Sequence, residues 1–417
     1  MESRPTSDDN IQERLRAAQE ECQRLREENA RLRTILGINH SATNESILQA
    51  SPALEPPPTG TRLAFTPEKK VMLFRNLFRG REDIFAIRWE GKSGKSGYSP
   101  AGVMDWRAIH ASRPEDRKKV ARKTRMLQPL SDDAIRNHLT GKQTIGIYPL
   151  LPDETCWFLA VDFDKKSWII DTAAFAATCR KFNIPFAVER SRSGNGAHVW
   201  IFFDRPIFAA DARRLGCSLL TCTMENRHEI GLDSYDRLFP NQDTMPKGGF
   251  GNLIALPLQK LPREKGNSVF LDEQFQPHTD QWRFLESIQR LPMDQLSRIV
   301  NSISPDGNSI GVRLHLTDED EGEAPWLLAP SRNRKEKQIF GPLPSKVRIT
   351  VSNFVFIEKE GLSAAMIDRL IRIAAFQNPE FYKAQAMRLS TYGKPRVISC
   401  SELFPRHIGL PRGCMEE

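Results

Sequence analysis

From Ile11 to Leu36 the positions Ile11, Leu15, Ala18, Cys22, Leu25, Asn29, Leu32 and Leu36 recur at alternating steps of four and three, with Arg and Glu in most other places. This is the spacing of a coiled-coil seam, and Asn29 is the kind of polar seam residue that fixes the register of a parallel dimer. Residues 1–40 are therefore expected to form a helix that joins two copies of the chain through residues 11–36. The pattern stops at residues 41–64, rich in Ser, Thr and Pro, which read as a flexible linker. Thr66-Pro67 is a helix start, a capping hydroxyl before Pro at the first helical position, and Val71, Phe74, Leu77 and Phe78 make one apolar face. Alternating or continuous apolar runs predict strands at Asp83–Trp89, Thr144–Tyr148, Trp157–Phe163, Phe186–Glu189 and His198–Phe203. Helical spacing predicts Asp171–Phe182 and Ala209–Met224 between and after them. Such alternation predicts an α/β (α+β) domain over residues 65–316. An acidic run followed by a basic one marks a charged linker at 317–345, and a small α/β module follows over 346–417, with a strand at Val347–Ile357 and helices at Ser363–Ala375 and Pro379–Leu389.

Composition narrows the class only modestly. Lys and Arg total 60 against 52 Asp and Glu, a net charge of +8 that suits a polyanionic partner. No stretch approaches the apolar length of a membrane span and the N-terminus lacks a secretory signal, so a cytoplasmic protein without a membrane partner is expected. The seven cysteines contain no CxxC pair, which argues against a disulfide framework or a zinc ribbon. Cys217, Cys222 and His228 lack a fourth ligand at metal spacing and read as structural.

Three segments carry candidate chemistry. The apolar run Trp157–Val161 ends in Asp162 and Asp164, which share one side of a strand. Paired carboxylates repel unless a cation joins them, and hard oxygen ligands suit Mg²⁺ or Mn²⁺; alone, the pair reads equally as a turn that caps the next helix. The second segment, Glu189 to Phe203, contains a Ser/Gly loop that leads into a strand at His198. Its amides, hydroxyls and Arg190 or Arg192 could gather round phosphate, although a β-hairpin with a structural histidine has the same pattern. The third segment, Gly231 to Asp243, offers one more carboxylate; Asp236 is the choice, with Asp233 and Asp243 as alternatives. The aromatic residues Trp200, Phe202 and Phe203 read as core, while His138, Gly141 and Lys142 precede a strand from which a nucleotide could be reached.

Taken in order, Asp162-x-Asp164, Ser193-Gly194-x-Gly196-x-His198 and Asp236 resemble the three motifs of the archaeo-eukaryotic primase superfamily. Ile145–Leu151, Tyr235–Asp243 and Gly249–Pro257 resemble more closely the primase domain of TOTE conflict systems, proteins linked to mobile elements and defence, and the likeness resumes at Ala374–Phe381 and Gly409–Gly413. The resemblance implies a primase catalytic core with an RRM-like sheet. It implies that Asp162, Asp164 and Asp236 are catalytic and hold two divalent ions, Mg²⁺ or Mn²⁺. Ser193, Gly194 and His198 would contact the triphosphate of an NTP or dNTP, with Arg192 adding charge. The implied activity is DNA-directed nucleotidyl transfer to a 3′-hydroxyl on single-stranded or primed DNA. In that family the helicase of superfamily 2 commonly follows, so a helicase partner, or a helicase part beyond Glu417 in the parent chain, is expected. Gly94-Lys95-Ser96 is not a phosphate-binding loop of the Walker type, since Trp89 stands where its first glycine belongs. Two other classes deserve a place beside the polymerase: an inactive nucleic-acid-binding adaptor dimerised by its coiled coil, and a DxD glycosyltransferase, which leaves His198 and Asp236 without a role.

Overall fold

The structure, a computed structural model, describes residues 65–91, 93–303 and 343–415, together with helical residues at 20, 23, 24, 27, 28 and 31. In the N-terminal unit, Gln23 Nε2 donates to Glu27 Oε1 at 3.0 Å one turn on, and both side chains are exposed. The apolar seam expected at Ile11 to Leu36 lies outside the described residues, as does the charged stretch that precedes residue 343. Ala64–Glu417 forms one compact unit.

That unit opens with α1 (Pro67–Leu77), capped by Thr66, whose hydroxyl accepts the Lys69 N–H. There follow β1 (Ala86–Glu90), β2 (Ser96–Pro100), β3 (Gly102–Val103), α2 (Trp106–Ala111), α3 (Arg117–Thr124), β4 (Met126–Leu127), α4 (Asp132–Thr140) and β5 (Ile145–Ile147). The central elements are β6 (Thr155–Phe163), α5 (Trp168–Lys181), β7 (Ala187–Arg190), β8 (Ala197–Phe208) and α6 (Ala209–Met224). Next come β9 (Leu238–Phe239), β10 (Ile254–Ala255), α7 (Lys260–Glu264), β11 (Phe270–Leu271), α8 (Gln281–Ser287) and α9 (Met293–Ile303). The C-terminal part holds β12 (Ile349–Val351), β13 (Val355–Glu358), α10 (Ala364–Ile373), β14 (Ala375–Gln377), α11 (Pro379–Ala386), β15 (Val397–Ser399), β16 (Glu402–Leu403) and β17 (His407–Leu410).

A five-stranded sheet of order β11-β7-β8-β6-β9 organises the fold, and its strand pairs are all antiparallel. Alternation along β6 divides its side chains between two faces. Leu159 and Phe163 face the helices, with Leu159 against Gly216 of α6 and Phe163 against Phe175 of α5. Phe158 faces the other way and meets Trp200 and Phe202 of β8, which Phe78 closes over from the end of α1. A second sheet, β10-β5-β1-β2, adds a layer beside α1 and α4. His138 of α4 ties these layers: its Nδ1 accepts the Ile145 N–H at 3.2 Å, and Nε2 lies 2.8 Å from the Pro257 carbonyl. The core reading of Trp200, Phe202 and Phe203 agrees with their burial, as does the structural reading of Cys217 and Cys222, while His138 is buried with both ring nitrogens bonded to backbone.

Some boundaries differ from expectation. The single strand expected at Val347–Ile357 is a hairpin, because Ser352 and Asn353 turn the chain between β12 and β13. β8 runs five residues past Phe203 because its backbone pairing with β6 continues through Ile207 and Phe208, although Asp204, Arg205 and Pro206 interrupt the apolar pattern. Among the described residues no helix is long and apolar enough to cross a membrane.

Candidate active site

The end of β6 sets the site. Register pairs Asp162 with His198 of β8, and His198 in turn with Glu189 of β7, so three adjacent strands present polar side chains in one row. Glu189 is buried, and its Oε2 accepts from Trp200 Nε1 and lies 3.0 Å from His198 Nδ1. The other ring nitrogen, Nε2, is thereby aimed toward Asp162, 3.8 Å from its Oδ1. Burial pulls the imidazole down, but Glu189 and Asp162 outweigh it, so His198 titrates above its ordinary value. Burial pushes the Asp162 carboxyl up, and Asp164 adds to that push while His198 and Arg237 oppose it. The row therefore holds a carboxylate under repulsion beside an imidazole whose neighbours favour its protonated form.

Arg237 neutralises the pair from the far side. Its Nη1 contacts Asp164 and lies 4.0 Å from Asp162 Oδ2, while its Nε is 3.6 Å from Asp233 Oδ2. Asp233 also accepts from Lys165 Nζ at 2.8 Å, and Lys165 holds the Ile230 carbonyl as well. Thus Asp162, Asp164 and Asp233 share one guanidinium.

Asp236 is turned elsewhere. It ends the 3₁₀ turn Leu232–Asp236, and its Oδ1 accepts the backbone N–H of Arg396 at 2.9 Å. Burial pushes its carboxyl up, opposed by that hydrogen bond and by the charges of Arg396 and Arg213. The expected third carboxylate thus lies in the same turn as Asp233, with its oxygens directed to the C-terminal part of the chain. Asp243 is engaged too, 2.6 Å from Arg213 Nε.

The Ser-Gly loop reaches the carboxylates by close backbone packing. Ser191 N–H donates to the Gly196 carbonyl at 2.8 Å, and Gly194 N–H to Ser191 O at 3.0 Å, closing a tight turn in which Ser193 Oγ accepts the Asn195 N–H. A Cβ at Gly196 would stand 2.6 Å from the Phe163 carbonyl and 3.2 Å from Asp164 Cα, so only glycine lets the loop lie against the end of β6. Gly194 has φ +80°, and a Cβ there would meet the Asn267 side chain. Ser193, Gly194 and His198 are therefore gathered at the edge that bears Asp162 and Asp164. The two arginines of this segment are engaged: Arg190 donates to the Gly266 and Phe275 carbonyls, and Arg192 to Gln259 Oε1 at 2.6 Å and Glu90 Oε1 at 3.0 Å. Arg192 is thus anchored to β1 and to the chain before α7.

Glu189, Lys165 and Arg237 were not singled out by sequence reasoning. Glu189 looks like an ordinary polar end to a strand, and only register reveals that it lies beside His198. Lys165 had a signal, a cation immediately after the Asp162-x-Asp164 pair.

Among the described residues, no group of three or more His, Cys, Asp or Glu side chains is arranged to hold a metal ion. The Asp162 and Asp164 pair nevertheless has the donor chemistry for one: hard oxygens, mutual repulsion, and a cationic group already drawn between them.

Sequence comparison adds an independent line. The family model for the archaeo-eukaryotic primase domain of TOTE conflict systems matches residues 69–299, more than half of the 417-residue chain. No curated protein sequence matches. Among solved structures the chain is similar to the polymerase domain from Mycobacterium tuberculosis ligase D in complex with DNA, at 13% identity over 58% of this chain and 90% of that one, with a TM-score of 0.26.

Proposed function

Because the chain belongs to the archaeo-eukaryotic primase domain family of TOTE conflict systems, we propose that it is a DNA primase-polymerase acting within a conflict system and transferring nucleotides from NTP or dNTP to a 3′-hydroxyl on a DNA template. The observation that carries this reading is the row Asp162, His198, Glu189, with Asp164 at its end and the Ser193-Gly194 loop packed against it. Asp162 and Asp164 would hold the divalent ions, Mg²⁺ or Mn²⁺, with a third carboxylate from the 233–236 turn, where Asp236 is the family-motif residue. Bound there, such ions would lower the pKa of the attacking hydroxyl and stabilise charge on the leaving pyrophosphate.

The chain's own residues supply the rest. His198, oriented by Glu189 and with its pKa raised above its ordinary value by Glu189 and Asp162, suits an incoming triphosphate at the edge of the carboxylate pair. The tight Ser191–Gly196 turn brings the Ser193 hydroxyl and a glycine backbone that phosphate oxygens can approach closely to this edge. Lys165 and Arg237 are the cations nearest Asp164 and Asp233, and would balance charge as it shifts during transfer. The test is primer synthesis and primer extension on single-stranded DNA with Mn²⁺ or Mg²⁺. Template-dependent product is expected; a folded protein that binds template but yields none in either assay would sink the polymerase reading and favour the adaptor.

A basic element supports nucleic acid as the partner. Residues 104–127, which include α2 and α3, carry eight Lys and Arg against three Asp and Glu. Trp106 is 57% exposed, with its ring 6.1 Å from that of His110. Cations interleaved with an exposed indole suit the phosphates and bases of a single strand. Reversing Lys119 and Lys123, both exposed, to Glu is expected to weaken single-stranded DNA binding and to flatten the slope of log affinity against log salt by about 1–2. An unchanged slope, measured by fluorescence anisotropy across salt concentrations, would remove this element from the binding surface.

A further inference from the structure

The segment Tyr235–Lys247 carries Asp236 and Arg237, and residues far along the chain hold it along its length. Tyr235 OH accepts from Arg372 Nη2 at 3.0 Å, and Asp236 Oδ1 accepts from Arg396 N at 2.9 Å. The Asn241 carbonyl accepts from Arg396 Nη2 at 3.1 Å, and Gln242 Nε2 donates to Thr391 Oγ1 at 2.8 Å. Gln385 clasps Asp243 twice, accepting its N–H at 3.3 Å and donating to Oδ2 at 2.8 Å. The Lys247 N–H donates to the Arg388 carbonyl at 2.8 Å. Several of these groups are buried, among them Gln242, Arg372, Thr391 and Arg396.

Buried polar groups of this kind fix position, because shifting the segment would leave donors and acceptors unpaired at a cost of about 1–3 kcal/mol each. Within the held segment, Arg237 is the guanidinium shared by Asp162, Asp164 and Asp233, and its backbone is locked too, since Asp162 N–H donates to the Arg237 carbonyl at 3.0 Å. One stretch of chain is thus bonded to the carboxylate pair on one side and to Arg372, Gln385, Thr391 and Arg396 on the other. All four lie beyond residue 299, where the family match ends.

We propose that the C-terminal residues 372–396 are a positioning element of the active site, holding the Tyr235–Asp243 segment so that Arg237 sits at the Asp162 and Asp164 pair. The proposal rests on the polymerase reading of that pair. Gln385 and Thr391 are positioning residues whose side chains bond to Asp243 and Gln242, and neither contacts Asp162, Asp164 or His198.

The experiment compares the full chain with a Gln385→Ala, Thr391→Val double variant, a milder Thr391→Ser variant, and a Glu402→Gln control at an exposed strand in the same part of the chain. Three quantities are read: kcat with its Mn²⁺ dependence, Mn²⁺ binding without nucleotide by electron paramagnetic resonance, and affinity for single-stranded DNA. The double variant is expected to lose about 10-fold in kcat and to bind Mn²⁺ more weakly by a similar factor, the usual size of an effect exerted from behind metal ligands. Its DNA affinity should stay at the wild-type value, and Thr391→Ser, which keeps the hydroxyl, should recover most of the loss. Unchanged kcat and Mn²⁺ binding in a folded double variant would overturn the proposal, as would an equal fall in DNA affinity, the mark of a general structural defect. If the wild type makes no product, the polymerase reading fails; equal Mn²⁺ binding by wild type and double variant would then reject the positioning role on its own readout.

Discussion

Replacing Asp162 and Asp164 together by Asn is expected to lower primer extension by about 1000-fold or more, without loss of fold. The substitution keeps the size of both side chains and removes the charges that a divalent ion requires. It also relieves repulsion at Asp162, whose carboxyl is already pushed up by burial and by Asp164. The thermal midpoint should therefore hold or rise. Arg237 loses Asp162 and Asp164 but keeps Asp233 and is part-exposed, so no buried charge is stranded there. The measurement is single-turnover extension of a labelled primer beside a thermal melt and a DNA-binding titration. Retained extension in the double variant would remove the pair from the chemistry. In the same assay Asp236→Asn separates charge from structure, since an amide oxygen can still accept the Arg396 N–H that Asp236 holds. Loss of activity at Asp236, compared with that of Asp233→Asn, identifies which carboxylate of the turn serves the reaction.

The second large effect concerns stability. His138 is 1% exposed, and burial drives its pKa down to about 4, against a small upward pull from the Pro257 carbonyl. Above pH 6.5 the imidazole is neutral in folded and unfolded chain alike, and its two hydrogen bonds are intact. As pH falls below 6.5 the unfolded chain takes up a proton that the folded one refuses until near pH 4. Stability is thus lost progressively between those values, by about 3 kcal/mol from this one group. His138→Ala, which deletes both hydrogen bonds and the contact with Phe74, is expected to cost about 3 kcal/mol at pH 7.5. The variant should also lose the acid sensitivity contributed by His138. Urea midpoints at pH 7.5 and pH 5 check both statements; an unchanged difference between the two pH values in the variant would show that His138 is not the titrating group.

The sequence made the strand-borne half of the site legible, since a run such as Trp157–Val161 followed by Asp162 and Asp164 states its own strand, its end and the shared face of the carboxylates. Gly194 and Gly196 likewise announced a tight loop, and the structure gives the reason: at Gly196 there is no room for a Cβ against Phe163. Other parts depend on partners that local periodicity does not carry. Glu189 becomes meaningful only through strand register, and the direction of the Asp236 side chain depends on an amide 160 residues away. The interruption before residue 346 set the C-terminal residues apart as a small module, although their polar side chains bond across to Tyr235–Lys247. Charged runs report where a chain is solvated, and they are silent about what the segments on either side touch.

That distance along the chain has a consequence for synthesis. At about 5–20 residues per second a ribosome needs about 8–30 s to travel the 160 residues from Asp236 to Arg396. During that interval β6, β7 and β8 can already be paired, while the Tyr235–Asp243 stretch still lacks its clasp. The nascent polypeptide would thus pass through a period with the acidic edge built and its last wall missing, and would acquire its finished centre late in translation.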